Sequence, residues 1–369
     1  MGRTRDVDAC PGALTLHTAA DGSLARIRLP GGMITAPQLH ALARAATEFG
    51  SPAMELTSRG NIQIRGITDQ DAVARAVAAA GLLPSPTHER VRNVVASPLS
   101  GRAGGHADVR RWVGQLDAAI QVEPALAGLP GRFWFGIDDG RGDVSGLAPD
   151  VGVHVLGETA ALLLAGRDTG VRVPFSEAVS TMVALAARFA GTRGKAWRIS
   201  ELEGNGSLLA GLTVDAEHGA TWPPVTRPPV GWLPQDDGRI ALGAAVPLGV
   251  LPARTAEFLA AIGAPMVITP WRSVLVCDLD AGVADTSLRV LAPLGLVFDE
   301  NSPWLDISAC TGSPGCEHSL ADVRADAAGA LNSASGGHRH YVGCERACGS
   351  RAGDQVLTAT GDGYRCLRS

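Results

Sequence analysis

Apolar positions recur at three- and four-residue spacing over Gln38–Phe49 and Asp71–Leu82, and again over Thr255–Ile262 and Val283–Leu294, the period of helices with one buried face. The segments that precede them also match. Pro30-Gly-Gly-Met-Ile-Thr-Ala-Pro and Ser51-Pro-Ala-Met-Glu-Leu-Thr-Ser-Arg-Gly flank the first helix of the first set. Pro247-Leu-Gly-Val-Leu-Pro-Ala-Arg and Ala264-Pro-Met-Val-Ile-Thr-Pro-Trp-Arg flank its counterpart. Each half therefore reads strand, loop, helix, strand and second helix, a ferredoxin-like unit in which helices cross over between strands. The pattern predicts an α+β fold built as a tandem pseudo-twofold repeat.

A second pair of matching stretches follows. Arg92-Asn-Val-Val-Ala-Ser97 stands after the first unit where Leu305-Asp-Ile-Ser-Ala-Cys310 stands after the second, so Ser97 takes the place of Cys310. Ser176–Ala190 reads as an amphipathic helix, Ser273–Leu279 as an apolar strand and Gln355–Thr360 as the last strand pattern. The run Thr221-Trp-Pro-Pro-Val-Thr-Arg-Pro-Pro-Val is too rich in proline for a helix or a central strand and predicts a linker.

At 369 residues the chain holds more than one domain. No apolar stretch reaches the ~20 residues of a membrane span, and the opening Met-Gly-Arg-Thr-Arg-Asp lacks the apolar core of a signal peptide. These features predict a soluble, cytoplasmic protein with reduced cysteines. With 32 basic and 37 acidic residues, a net charge of −5 and no dense Lys/Arg run, nucleic acid is not an expected partner.

The cysteines change the picture. Cys310 and Cys316 are spaced C-x5-C, and Cys344 and Cys348 C-x3-C. Structural zinc sites open with cysteines two to four residues apart, so the first pair is too wide for one. Four thiolates in loops rich in Gly, Ser and Pro suit an iron-sulfur cluster, because such loops wrap closely around it. A buried free cysteine acting as a small hydrophobe is the plainer alternative for any one of them. Cys277, in an apolar strand pattern, reads as core; Cys10 and Cys366 have no partner spacing, and none of the three is assigned as a ligand.

The segment Glu55-Leu-Thr-Ser-Arg-Gly-Asn-Ile-Gln-Ile-Arg65 alternates apolar with polar residues, which predicts one half-buried strand with Glu55, Thr57, Arg59, Asn61, Gln63 and Arg65 on one face. Arginines bind carboxylates bidentately and stay charged when partly buried, so this face is a candidate platform for an acidic ligand, with Arg92 and Arg132 as further cations. A solvated sheet face is the alternative.

Thr57-Ser-Arg-Gly-Asn-Ile-Gln-Ile-Arg-Gly, Arg92-Asn-Val, Leu129-Pro-Gly-Arg-Phe, the tandem halves and the two cysteine pairs together resemble the siroheme sulfite and nitrite reductase superfamily over nearly the whole chain. The resemblance implies ferredoxin-like and nitrite/sulfite-reductase-like domains in alternation: 12–85, 86–190 without cluster ligands, a linker at 191–239, then 240–296 and a cluster-binding domain at 297–369. It implies a [4Fe-4S] cluster on Cys310, Cys316, Cys344 and Cys348, with Cys348 at the position that bridges to siroheme in the reductases. It further implies that Arg59, Arg65, Arg92 and Arg132 face tetrapyrrole carboxylates.

Where the reductases carry a second lysine after Leu-Pro, this chain has Trp134, which removes one anion-binding cation. That departure, with Cys10-Pro-Gly, Thr269-Pro-Trp-Arg and Val342-Gly-Cys-Glu-Arg-Ala-Cys-Gly, resembles the precorrin-3B synthase branch. The branch implies an iron-sulfur monooxygenase of aerobic cobalamin biosynthesis, with precorrin-3A and dioxygen as substrates. No G-x-G-x-x-G follows a strand, so electrons from NADH are expected through a separate reductase or ferredoxin. His318, His338 and His340, near the cysteines, are the candidates for a second iron centre of the 2-His-1-carboxylate kind. The competing readings are a siroheme-dependent reductase and a non-catalytic iron-sulfur electron carrier.

Overall fold

The computed structural model describes residues 10–332 and 337–368. Along the chain the elements are β1 (His17–Ala19), β2 (Gly22–Ile27), β3 (Met33–Ile34), α1 (Ala36–Phe49), β4 (Ala53–Leu56), β5 (Ile62–Ile67) and α2 (Gln70–Ala79). Next come β6 (Val94–Ala96), α3 (Arg110–Val122), β7 (Phe135–Asp138), β8 (Val151–Leu156), β9 (Thr159–Leu164), β10 (Arg167–Pro174) and α4 (Ala178–Thr192). The remainder is β11 (Gly231–Pro234), β12 (Ile240–Ala245), β13 (Val250–Pro252), α5 (Ala253–Ala261), β14 (Met266–Ile268), β15 (Ser273–Leu279), α6 (Ala281–Leu291), β16 (Ile307–Ala309), α7 (Val323–Gly329), β17 (Arg339–Val342), β18 (Gln355–Thr360) and β19 (Gly363–Arg368). Among the described residues no helix is long and apolar enough to cross a membrane.

Two compact units result. One comprises residues 10–12, Arg28–Gly32 and Pro84–Val225, the other Ala13–Ile27, Met33–Leu83 and the chain from Thr226.

The second unit holds both ferredoxin-like halves, and they are interleaved. One sheet runs β1-β2-β5-β4-β13 and the other β11-β12-β15-β14-β3. Each half thus lends a short strand to the other: Val250 pairs with Glu55, and Met266 with Ile34. Helix α1 begins at a capping box, in which Thr35 accepts from the Gln38 backbone while the Gln38 side chain accepts from the Thr35 N–H. Its buried face, Leu39, Leu42, Ala43 and Ala46, follows the helical period, and it packs against α2 and α5.

The same unit carries a third sheet, β16-β17-β18-β19, parallel except at its last pair. Ile307, Ala309, Tyr341 and Ala359 from its strands pack on Val323 and Ala327 of α7. The first unit repeats this arrangement as β6-β7-β8-β9, with β10 added.

The structure corrects one expectation and adds to two others. Glu55–Arg65 is not one strand, because Gly60 takes a left-handed φ of 66° and turns the chain back between β4 and β5. Within the stretch 191–239, Ile199 and Leu208 are buried and Gly231–Pro234 is an edge strand of the second sheet, while 221–230 holds no helix or strand, as its prolines predict. Helices α3 and α7 and strand β19 lie where no element was expected.

Candidate metal centre

Strands β16 and β17 are parallel neighbours, with Ala309 opposite Tyr341. Cys310 follows the first directly and Cys344 lies two residues past the second, so two sulfurs leave the carboxyl ends of adjacent strands, where parallel sheets commonly hold ligands. The Cys310 N–H donates to the Tyr341 carbonyl at 2.9 Å, and the Gly343 N–H points at the Cys310 sulfur at 3.4 Å.

Backbone constraints shape the loop to Cys316. Gly312 has φ +72°, and a Cβ there would lie 2.7 Å from the Val323 side chain. Gly343 has no room at all: an added Cβ would overlap the Ser319 hydroxyl. The Leu320 N–H donates to the Gly343 carbonyl at 3.0 Å, tying the two cysteine loops together.

The loop from Cys344 to Cys348 is pinned from below. His340 is fully buried; its Nε2 donates to the Cys348 carbonyl at 3.0 Å and its Nδ1 accepts from Ser308 at 2.7 Å. Burial, reinforced by Arg272, pushes this imidazole down to about 3, so it is neutral at physiological pH. Arg272 donates to the Gly349 carbonyl at 2.6 Å.

Cys310, Cys316 and Cys344 are half-buried and Cys348 is exposed. Burial pushes the Cys310 thiol up, and the charges of Cys348 and Cys316 push it further. A thiol such as Cys310, in a partly dry site beside the charges of Cys348 and Cys316 and yet with a backbone N–H aimed at its sulfur, is chemically suited to a cationic iron centre, which reverses that penalty. The four residues fit an iron-sulfur cluster.

The polar face of the β4–β5 hairpin seats this centre. Arg65, with 10% of its side chain exposed, forks onto Asp21 at 2.7 and 2.8 Å and donates to the Gly315 carbonyl at 2.8 Å. Glu55 accepts from Gln63 at 3.0 Å and Arg324 at 2.5 Å, and from the Thr311 hydroxyl at 3.5 Å. These charge-assisted bonds clamp the C-x5-C loop to the hairpin, a role beside the substrate contact expected of Arg65. Arg59 sits half-buried at the hairpin tip.

Arg92 is likewise committed, forking onto Asp117 of α3 at 2.7 and 2.9 Å, where it was expected to face a ligand. Arg132 is exposed and lies over the Trp197 ring at 5.3 Å. Trp134 is buried against Val95 and Val144 and is part of the core.

The histidines do not assemble a second iron site. His338 bonds Asp354 at 2.9 Å and accepts from Arg351, His340 has both nitrogens occupied, and His318 is exposed beside Glu317. Cys277 is buried in β15 as expected, Cys10 contacts Arg28 and the Gly131 carbonyl, and Cys366 is exposed. Sequence reasoning missed Asp21, Arg324, Arg272 and Arg351; only Arg272 carried a signal, in the Thr269-Pro-Trp-Arg repeat of Thr57-Ser-Arg-Gly.

At the corresponding place in the first unit, Ser97 replaces Cys310 and Asp138, Asp139 and Asp143 replace the second cysteine loop. Asp138 is spent on four backbone N–H groups of its own loop, and Ser97 donates to Asp143 at 2.6 Å. Burial, then Asp138, pushes the Asp143 carboxyl up to about 7. A raised folded value makes its contribution full below the unfolded value of ~3.9 and lost as pH rises to about 7. Urea unfolding should therefore show stability falling by up to about 4 kcal/mol across that window, and Asp143→Asn should flatten the fall; an unchanged slope refutes the assignment.

Residues 17–79 match the nitrite/sulfite reductase ferredoxin-like half domain. The chain is similar to precorrin-3B synthase of Sinorhizobium sp, 26% identical over 96% of this chain and 80% of that protein. It is 32% identical to ferredoxin–nitrite reductase of Synechococcus elongatus over 32% of this chain and 25% of that one. With ferredoxin sulfite reductase of Mycobacterium tuberculosis it shares 23% identity over 81% of this chain and 60% of the reductase. The solved structure of the Mycobacterium tuberculosis NirA protein superposes with a TM-score of 0.75 at 20% identity, covering 89% of this chain and 69% of that one, and shares its fold.

Proposed function

We propose that this chain, whose place in the sulfite and nitrite reductase superfamily is supported by the matched half domain, the relatives and the shared fold, acts on precorrin-3A as a precorrin-3B synthase. The observation that carries the reading is extent: similarity to the synthase runs over 96% of this chain and 80% of the synthase, whereas the reductases extend well beyond the matched region. The reaction is an oxygen-dependent hydroxylation followed by lactone formation. Cys310, Cys316, Cys344 and Cys348 would hold a [4Fe-4S] cluster, which when bound supplies single electrons, as dioxygen chemistry on a closed-shell macrocycle requires. NADH, through a reductase or a ferredoxin, is the proposed electron source, and the cytoplasm the proposed location.

The protein's own residues would then position the substrate. Arg59 and Arg132 are each proposed as a cation for the macrocycle's carboxylates. Arg65 and Glu55 hold the cysteine loop still while this happens. Arg59→Ala should weaken precorrin-3A binding by about 1–3 kcal/mol, the scale of a charged hydrogen bond; an unchanged Kd would return Arg59 to a solvated role.

The deciding experiment supplies anaerobically purified protein with precorrin-3A, dioxygen and a reductant, and follows the product by mass. A product heavier by one oxygen atom supports the synthase. Siroheme-dependent reduction is the second reading, favoured by the 81% coverage against the sulfite reductase. A haem-like chromophore with turnover of sulfite or nitrite would establish it instead.

A further inference from the structure

The turn between β14 and β15 repeats the turn between β4 and β5 bond for bond. Thr57 N–H donates to the Asn61 carbonyl at 2.9 Å and Gly60 N–H to the Thr57 carbonyl at 3.2 Å; Thr269 and Arg272 make the same bonds to Ser273 and Thr269 at 2.9 and 3.1 Å. Trp271 thus stands where Arg59 stands, and Arg272 where Gly60 stands. Arg272 keeps the left-handed backbone of that glycine, φ +58° against +66°, a conformation that side-chain-bearing residues avoid unless their surroundings enforce it.

What surrounds it is a small cavity of about 20 Å³, lined by Arg272, Arg351, His338, Ser308, Trp271 and Trp304 among others. Both arginines are buried, at 6% and 7% exposure. Among the described residues Arg272 Nη1 and Arg351 Nε and Nη1 have no hydrogen-bond partner. Buried donors left unpaired are rare.

The charges do not balance either. Arg351 reaches Asp354 at 3.4 Å and donates to His338 Nε2 at 3.0 Å, while His338 Nδ1 donates to Asp354 at 2.9 Å. That pattern requires a neutral imidazole, so two guanidinium cations share one carboxylate. A water molecule would satisfy N–H groups in a space of this size, but it would place no charge opposite the second guanidinium within the cavity. A planar anion matches the guanidinium fork and removes both defects.

We infer that this cavity is a binding site for a small planar carboxylate-type monoanion of the formate or bicarbonate class, distinct from the cysteine centre and from the Arg59 turn.

The test uses the full chain with its iron loaded, under anaerobic conditions, with formate as probe against chloride and the bulky pivalate at fixed ionic strength. Formate should raise the unfolding temperature saturably; at ten times its Kd the folded-to-unfolded ratio rises about elevenfold. Arg351→Gln should abolish the response and Arg254→Gln, an exposed cation elsewhere, should retain it. An equal response to chloride or pivalate, or a formate response that survives Arg351→Gln, overturns the assignment. Should Arg351→Gln fail to fold, ¹³C-formate line broadening on the unaltered protein decides: saturable broadening supports the site, and its absence refutes it.

Discussion

Cys344→Ser should leave the anaerobically purified protein colourless, its iron and sulfide falling from about four each per chain to near zero. The expectation follows from where Cys344 sits. Cys310 and Cys344 leave neighbouring parallel strands, which lie about 4.8 Å apart, so the rigid sheet fixes the distance between the two loops that carry the sulfurs. A serine oxygen is harder than a thiolate and matches iron-sulfur chemistry poorly. Changes merely around metal ligands cost about 10–100-fold in affinity, and loss of a ligand should exceed that. The visible absorbance and an iron assay check it. A variant that keeps its full iron would remove Cys344 from the ligand set, and wild-type protein that is colourless with stoichiometric zinc would end the cluster assignment altogether.

Arg65→Met should destabilise the fold by about 3 kcal/mol, the lower range for removing one partner of a buried ion pair, and should also loosen the metal centre. Arg65 bonds Asp21 and lies 3.8 Å from Glu55, whose side chain is only 12% exposed. Asp21 is a third exposed and regains some water, which holds the expected loss to that lower range. The second effect is the diagnostic one. The Gly315 carbonyl, one residue before Cys316, loses its donor, so the cluster absorbance should bleach faster in air than in Arg59→Ala at matched stability. Arg65→Lys, which restores charge but not the two-pronged geometry, should recover part of the stability and less of the bleaching resistance. Equal bleaching rates across all of these proteins would make Arg65 a stabilising residue with no hold on the loop.

Much of this was readable from residue order. The helical periods of Gln38–Phe49 and Thr255–Ile262 located α1 and α5 because their apolar faces follow the 3.6-residue repeat, and Ser273–Leu279 matched β15 residue for residue. The equivalence of Ser97 and Cys310 was visible because each follows the first strand of a parallel ladder. What escaped were effects of pairing across long separations. Alternation over Glu55–Arg65 is shared by one long strand and by two short ones around a turn, and only the partner of Gly60 tells them apart. The roles of Arg65 and Arg92 depend on Asp21 and Asp117, 44 and 25 residues away. A sequence shows that an arginine is present but not whether its charge is already matched. Helix α3 was missed because its apolar positions, Val113, Leu116 and Ile120, are sparse among polar neighbours.

The exchange of β3 and β13 has a practical meaning for anyone who would take this protein apart. A fragment ending before the second half would present β4 with its Val250–Pro252 partner removed, and the reciprocal fragment would bare β14 at the row that Met33–Ile34 covers. Unpaired strand rows of this kind recruit other chains. Either piece expressed alone should self-associate or precipitate, while the two co-expressed should find each other through the strands they owe one another. In effect the chain is a strand-swapped dimer whose subunits have been joined end to end.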